Sequence, residues 1–140
     1  TMDLSFNHPC KELIWVRQGS DSGFDFDCAT SNTQGGPIES AMLKLNGHDR
    51  FEKRNGAYFH LVQPYQHHTR CPRKYVYCYS FALSPEEHQP SGSCNFSRIE
   101  NAKLIFTASQ TYSNTSCIVY AVNYNVLRIM SGMGGLAYSN

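Results

Sequence analysis

The chain has 140 residues and a mass of 15.8 kDa, the size of one domain with one hydrophobic core, so residues 1–140 are expected to form a single domain. Twelve Lys and Arg against eleven Asp and Glu leave a formal net charge of +1, which argues against direct binding of nucleic acid. The apolar runs stop far short of the roughly 20 residues of a membrane-spanning helix, so membrane insertion is not expected either.

Composition favours an all-β fold. The chain carries nine Tyr and eight Phe, and its Gly and Pro residues fall between short apolar segments, a mixture typical of half-buried strands joined by tight turns. The six cysteines include no CxxC pair and are too sparse for a small disulfide scaffold. We interpret them as reduced core thiols, with one or two disulfides as the alternative.

The first third of the chain predicts strands around a long loop. Leu4–Phe6 and Lys11–Arg17 read as one strand interrupted near Pro9, which lacks an amide hydrogen and so indicates a sheet edge or a bulge. Residues 18–37 are rich in Gly, Ser, Asp and Asn and predict a surface loop anchored by Phe24 and Phe26.

The middle of the chain continues the strand pattern. Ala41–Leu45 predicts a strand that turns at Asn46–Gly47. Tyr58–Val62 predicts the next strand, with one helical turn around Asp49–Lys53 as an alternative for the connection, and residues 64–72 predict a polar connection.

The rest of the chain alternates long apolar runs with turns. Lys74–Leu83 predicts an unbroken central strand, and Ser84–Gly92 a two-proline loop. Shorter strands are expected at Ser93–Ser97 and Ala102–Ala108. Cys117–Met130 is the longest β pattern, and the glycine-rich residues after it predict an arm or a last edge strand.

These segments amount to roughly six or seven strands with turns spaced as in an antiparallel β-sandwich, and no amphipathic helix is expected. A jelly roll has roughly eight strands. Either two sheets close with fewer strands, or the chain is the end of a longer one; we favour the second, because Thr1 already precedes a strand-like segment.

Motifs along nearly the whole chain resemble one protein family. The chain is similar to the closing half of the major capsid protein of nucleocytoplasmic large DNA viruses in these segments: Phe6–Trp15, Leu45–Phe51, Tyr58–Phe59, Gln63–Thr69, Tyr79–Leu83, Pro85–Gly92, Asn95–Ile99 and Tyr120–Ser139. Two features depart from the family pattern: residues 18–37 match it poorly, and the first jelly roll and the early strands of the second are absent.

The resemblance implies a structural protein of the virion and not an enzyme. It implies the C-terminal part of the second jelly roll of a double jelly-roll protein, which forms homotrimeric, pseudo-hexagonal capsomers of an icosahedral capsid. The implied partners are other copies of the protein, neighbouring capsomers and minor capsid proteins, with assembly in the host cytoplasm and no cofactor.

Two loops are the expected contact regions between subunits or domains. Tyr, Arg and His are favoured at protein interfaces. The candidates in the first loop are Tyr65, His67, His68 and Arg70, and those in the second are Glu86, Glu87 and His88. The glycine-rich segment beginning at Gly132 is expected to pack against a neighbour.

Catalytic and metal chemistry are weakly supported by the sequence. His60, His67 and His68 with Glu52 or His48 suggest a metal site of the cupin type, but adjacent strand residues face opposite sides and no His-x-His motif occurs. Cys71 near the histidines suggests a thiol nucleophile, but nothing indicates a lowered pKa or an orienting group.

Two further readings concern carbohydrate. Asn95 and Asn114 match the N-glycosylation pattern, with Asn114 the better candidate because it lies in a predicted turn. The alternative function is a carbohydrate-binding jelly-roll module, which requires Trp15 and several tyrosines to be exposed on one concave face.

Overall fold

The computed structural model describes residues 1–19, 36–108 and 115–138. Most of these residues form antiparallel strands, which confirms the predicted all-β class. The strands are β1 Met2–Leu4, β2 Pro9–Gly19, β3 Ile38–Leu45, β4 His48–Asp49, β5 Arg54–Asn55, β6 Val76–Ser80, β7 Cys94–Asn95, β8 Ala102–Ala108, β9 Thr115–Asn123, β10 Leu127–Met130 and β11 Met133–Leu136.

The first sheet has the order β1-β8-β3-β4 among the described residues, with β5 also pairing with β3. A register shift between Ile38 and Ser40 changes which residues of β3 face inward. Ile38, Ala41 and Leu43 are therefore all buried although their numbers do not share one parity. The predicted turn at Asn46–Gly47 is confirmed, because both residues have positive φ and join β3 to β4.

The second sheet is built around β2, which pairs with β9 on one side and with β6 and β7 on the other. Of the two alternatives predicted near Pro9, a sheet edge or a bulge, the bulge is present between Cys10 and Glu12, whereas β2 lies inside the sheet. Lys74–Leu83 is not one unbroken central strand, because the strand covers Val76–Ser80 and, among the described residues, pairs with β2 alone.

The first two strands belong to different sheets. β1 pairs with β8 in the first sheet, and β2 lies in the second. His8, between them, has a left-handed φ of 69° and donates its backbone N–H to Ser97 Oγ at 2.8 Å. The interruption near Pro9 is therefore a crossing from one sheet to the other.

Tyr58–Val62 is helical and not the predicted strand. These residues form a π-helical turn that runs directly into the α-helix α1, Gln63–His67, and we call the two together the helical segment. Pro64 is the second residue of α1 and has no backbone N–H to donate to the preceding turn, and the π-helical turn lies directly before it. Among the described residues, neither helix is long and apolar enough to cross a membrane.

The chain after β8 also differs from the prediction. The long apolar run Cys117–Met130 is divided, because β9 ends at Asn123 and the chain then forms the hairpin β10–β11. The hairpin turn, Ser131 and Gly132, has positive φ at both residues, as a type I′ turn requires. The predicted strand Ser93–Ser97 is reduced to β7 followed by a 3-10 turn at Phe96–Arg98, whereas Ala102–Ala108 is confirmed.

One hydrophobic core lies between the two sheets. The first sheet contributes Ile38, Leu43 and Leu104, and the second contributes Trp15 and Tyr77, all of them fully or almost fully buried. The Tyr77 hydroxyl accepts the Ile38 backbone N–H at 3.1 Å, which ties the sheets together by a hydrogen bond. The result is an antiparallel β-sandwich whose outer surfaces and loops are left for other contacts.

Candidate functional site

The two predicted contact loops meet beside the second sheet. His68 follows the end of α1, and its Nε2 lies 3.0 Å from Glu12 Oε2 on β2. Its Nδ1 lies 3.2 Å from Glu86 Oε1 in the two-proline loop. The neighbouring His67 Nδ1 lies 3.0 Å from the backbone oxygen of Leu83. We call His68, Glu12 and Glu86 the imidazole clamp, because one ring lies between two carboxyl groups from different elements.

The pKa values of the two carboxyl groups of the clamp are shifted in opposite directions. Glu12 is buried, and this desolvation raises its pKa above the usual 4.5, although His68 and Lys11 pull it down. Glu86 is exposed, and its pKa is lowered mainly because its carboxylate accepts a hydrogen bond from the Thr69 backbone N–H. Hydrogen bonds from the Thr69 hydroxyl and from His68 lower the pKa further. Glu12 Oε2 and His68 Nε2 are both buried atoms, and the 3.0 Å between them joins strand β2 to the residue that follows α1.

A small apolar cavity adjoins the clamp on the outer side of the second sheet. Its volume is about 260 Å³, and its lining residues are Ile14, Pro64, His68, Arg70, Cys71, Pro72, Val76 and Cys78. Burial raises the pKa of Cys78 to about 12, so this thiol is not an activated nucleophile. Cys71 is exposed, contrary to the expectation that the cysteines are core thiols.

The other predicted contact residues lie on the surface. Tyr65 is 82 % exposed, and Arg70, Glu87 and His88 are also exposed. The backbone oxygen of Glu87 accepts a long hydrogen bond from Lys11 Nζ at 3.4 Å. These side chains are therefore accessible to another molecule, whereas His67, His68 and Glu86 contact other parts of their own chain.

Three of the histidines considered as metal ligands, His60, His67 and His68, contact other groups of the chain through their ring nitrogens. His60 Nδ1 lies 3.1 Å from the backbone oxygen of Val76, and His67 and His68 make the contacts given above. Within residues 1–19, 36–108 and 115–138, no three or more His, Cys, Asp or Glu side chains are grouped in a way that could hold a metal ion. Of the aromatic residues considered for a sugar-binding face, Trp15, Tyr77 and Tyr79 are buried in the core, whereas Tyr65, Tyr120 and Tyr138 are more than half exposed.

Of the two glycosylation candidates, Asn95 lies among the described residues and Asn114 does not. Asn95 is exposed, and its side-chain oxygen accepts the Ser97 backbone N–H at 3.1 Å, so this Asn-Phe-Ser sequence begins the 3-10 turn.

An exposed apolar hairpin was only partly anticipated from the sequence. Every residue of β10 and β11 is exposed. The pairs Leu127 with Leu136 and Ile129 with Gly134 lie on one face of the hairpin, which carries three large apolar side chains and no polar one. We call these residues the hairpin face. The glycine-rich sequence signalled a segment for packing against a neighbour, but the hairpin itself was not predicted.

Comparison with known proteins identifies a shared family. The family model described as large eukaryotic DNA virus major capsid protein matches residues 1–135. The major capsid protein of Phaeocystis pouchetii virus is 58 % identical over 125 residues, which cover 86 % of this chain and 23 % of that protein. The major capsid protein of Pyramimonas orientalis virus is 49 % identical over 161 aligned residues, covering 98 % of this chain and 38 % of that protein.

Solved structures agree with the sequence comparison. The chain superimposes on the quasi-atomic model of the PBCV-1 virus capsid with a TM-score of 0.84 and 38 % identity, covering 99 % of this chain and 45 % of that one. It also matches the Faustovirus major capsid protein with a TM-score of 0.59 at 11 % identity, a likeness that supports the fold alone. The chain thus spans less than half the length of these relatives.

Proposed function

Because this chain belongs to the major capsid protein family of large eukaryotic DNA viruses, we propose that it forms part of the shell of an icosahedral virion as a homotrimeric, pseudo-hexagonal capsomer. The family and the relatives named above are structural capsid proteins and not enzymes. The antiparallel sandwich is the jelly-roll fold of these relatives, and its interfaces would carry the function.

The hairpin face is the observation that supports assembly with other copies. Leu127, Ile129 and Leu136 are each more than half exposed, and the hairpin has only two short strands. An isolated two-stranded hairpin is marginally stable in water, and clustered exposed apolar side chains mark interaction sites. We therefore assign the hairpin face to a contact with a neighbouring capsid protein copy.

The exposed loop residues supply a second, polar contact. Tyr65 and Arg70 on one loop and Glu87 and His88 on the other are accessible, and charged residues at an interface rim set orientation more than affinity. His67, His68 and Glu86 shape the same surface by holding the two loops together. Neighbouring capsomers and minor capsid proteins are the partners proposed for this surface in a virion assembled in the host cytoplasm.

The test replaces one apolar residue of the hairpin face. Ile129→Lys should lower the fraction of trimer at a fixed protein concentration by at least about tenfold, because a charged side chain would be buried in an apolar contact. The measurement is the mass of the assembly by multi-angle light scattering, followed by electron microscopy for pseudo-hexagonal particles.

Ile129→Val is the matched control, because it keeps the apolar surface and should leave the mass distribution unchanged. Circular dichroism of both variants establishes that the sandwich is still folded. A wild-type chain that stays a 15.8 kDa monomer at high concentration would count against assembly through these residues alone. An Ile129→Lys variant that forms trimers as well as the wild type would remove the hairpin face from the interface.

The carbohydrate-binding alternative is not favoured by the positions of the aromatic residues. Trp15 is fully buried between the sheets and contacts Phe59 and Tyr77, so it has no surface to offer a sugar ring.

A further inference from the structure

Two free cysteines face each other across strands β2 and β7. Cys10 and Cys94 are directly opposite in the antiparallel register, and both are free thiols. Cys10 is fully buried in the core, and Cys94 is partly buried and packs against the same cluster. Directly opposite residues of antiparallel strands have Cα atoms about 4.5 or 5.5 Å apart, and disulfides span about 4.4–6.8 Å. The register therefore puts the two Cα atoms at a distance that a disulfide can bridge.

Several contacts hold these strands in register around the cysteines. Pro9 is opposite Asn95, and the Phe96 backbone N–H donates to the His8 oxygen at 3.1 Å. The His8 backbone N–H donates to Ser97 Oγ at 2.8 Å. Closing a bond between the cysteines thus requires side-chain rotation and no new pairing of the backbone. We propose that Cys10 and Cys94 form an oxidation site, at which a small-molecule disulfide converts the two thiols into a cross-strand disulfide.

The reaction is two thiol–disulfide exchanges. The Cys94 thiolate, the more accessible of the two, attacks the reagent disulfide, forms a mixed disulfide and releases one reagent thiolate. The Cys10 thiolate then attacks the Cys94 sulfur and releases the second. The two cysteine thiols lose two electrons and two protons, and the reagent disulfide is reduced to two thiols. No metal or further oxidant is needed.

The second exchange is expected to limit the rate. The Cys10 thiol donates to the Glu12 backbone oxygen at 3.0 Å, and burial raises the pKa of Cys10 to about 12. Because only the thiolate reacts, the rate of ring closure should rise about tenfold for each pH unit across the range from about 7 to about 9. The same burial keeps the pair reduced where disulfide reagents are scarce.

The bond would fasten β7 and the 3-10 turn after it to the central strand of the second sheet. This role rests on the proposed function, because a capsid protein made in a reducing cytosol enters an oxidising exterior with the virion. Oxidation of the isolated, folded chain tests the site without any assembly. A negative result there concerns the cysteine pair alone, whereas failure to assemble concerns the capsid function alone.

The experiment incubates the folded chain with oxidised glutathione and maps peptides without reduction. The expected product is a Cys10–Cys94 cross-link with a mass loss of about 2 Da, together with a rise in Tm of about 5 °C or more. Cys94→Ser should abolish both changes, and Cys71→Ser, which removes an exposed thiol elsewhere, should leave both intact. Cys94→Ser is preferred to a change at Cys10 because Cys94 is only partly buried.

Three results would overturn the proposal. These are glutathione retained on Cys94 without ring closure, a cross-link from either cysteine to a different partner, and no reaction of Cys94 at all. Repeating the reaction with the same reagent at several pH values measures the rate of ring closure, which is expected to rise about tenfold per pH unit.

Discussion

At the scale of single residues, the imidazole clamp joins two carboxyl groups whose protonation affects stability in opposite directions. Burial raises the pKa of Glu12, so its contribution to stability is present below about pH 4.5 and is lost as the pH rises through its folded pKa. The hydrogen bonds from Thr69 lower the pKa of Glu86, so its contribution is present above about pH 4.5 and is lost as the pH falls through its folded pKa.

We expect Glu12→Gln to become progressively more stable relative to the wild type as the pH rises above about 4.5, because the amide avoids the cost of a buried charge. The measurement is the free energy of unfolding in urea at each pH. Glu86→Gln is the control of opposite sign, because its stability relative to the wild type should fall as the pH rises toward about 4.5 and should then level off. Parallel slopes for the two variants would contradict the assigned directions.

At the scale of elements, the helical segment covers the edge of strand β6 that faces away from β2. Gln63 is buried, and its side-chain oxygen accepts the Ser80 backbone N–H at 3.1 Å while its nitrogen donates to the Tyr58 hydroxyl at 2.8 Å. At the other end of the strand, His60 Nδ1 lies 3.1 Å from the Val76 oxygen. An uncovered strand edge invites pairing with other chains, so these side chains protect β6 from unwanted association.

Gln63→Ala should lower the free energy of unfolding by about 1–3 kcal/mol, because it leaves the buried Ser80 N–H without its acceptor. Gln66→Ala on the same helix is the matched control, because Gln66 is exposed and its loss should cost less than about 0.5 kcal/mol. Both values come from chemical denaturation. Equal losses for the two variants would mean that the edge contact is not a significant source of stability.

At the scale of the whole molecule, a cluster of aromatic rings joins the helical segment to the second sheet and to the connection between β4 and β5. Phe59 is fully buried, and its ring centroid lies 5.2 Å from that of Trp15 and 5.3 Å from that of Phe51. Trp15 in turn stacks on Tyr77. Because the helical segment contributes to the same core as the sheets, it should unfold together with them.

Phe59→Ala should destabilise the chain by about 3–5 kcal/mol through lost burial and a residual cavity, and it should lower the unfolding midpoints of helix and sheet signals together. Leu61→Ala on the same turn is the control, because Leu61 is 45 % exposed and should cost much less. The probes are far-ultraviolet circular dichroism and Trp15 fluorescence. Midpoints that separate in Phe59→Ala would show that the helical segment is an independent unit.

The sequence by itself determined the β class, the family and much of the core. Ala102–Ala108 has the predicted bounds, and in the predicted strand Lys11–Arg17 the alternate residues Leu13 and Trp15 are fully buried. Both results depend on local side-chain periodicity, which the chain carries in its own order of residues. The family motifs were equally visible, because they too are runs of neighbouring residues.

Only the tertiary structure decided which segments that are distant in sequence contact one another. Tyr58–Val62 has a strand-like composition but is helical, because its rings and the Gln63 side chain fill a site between the core and the edge of β6. Glu12 lies on the outer face of β2 and is buried there by His68, which lies far from it in sequence. Local patterns report which side a residue faces. They do not report what covers that side, since burial, pKa and pairing depend on contacts between residues far apart in the chain.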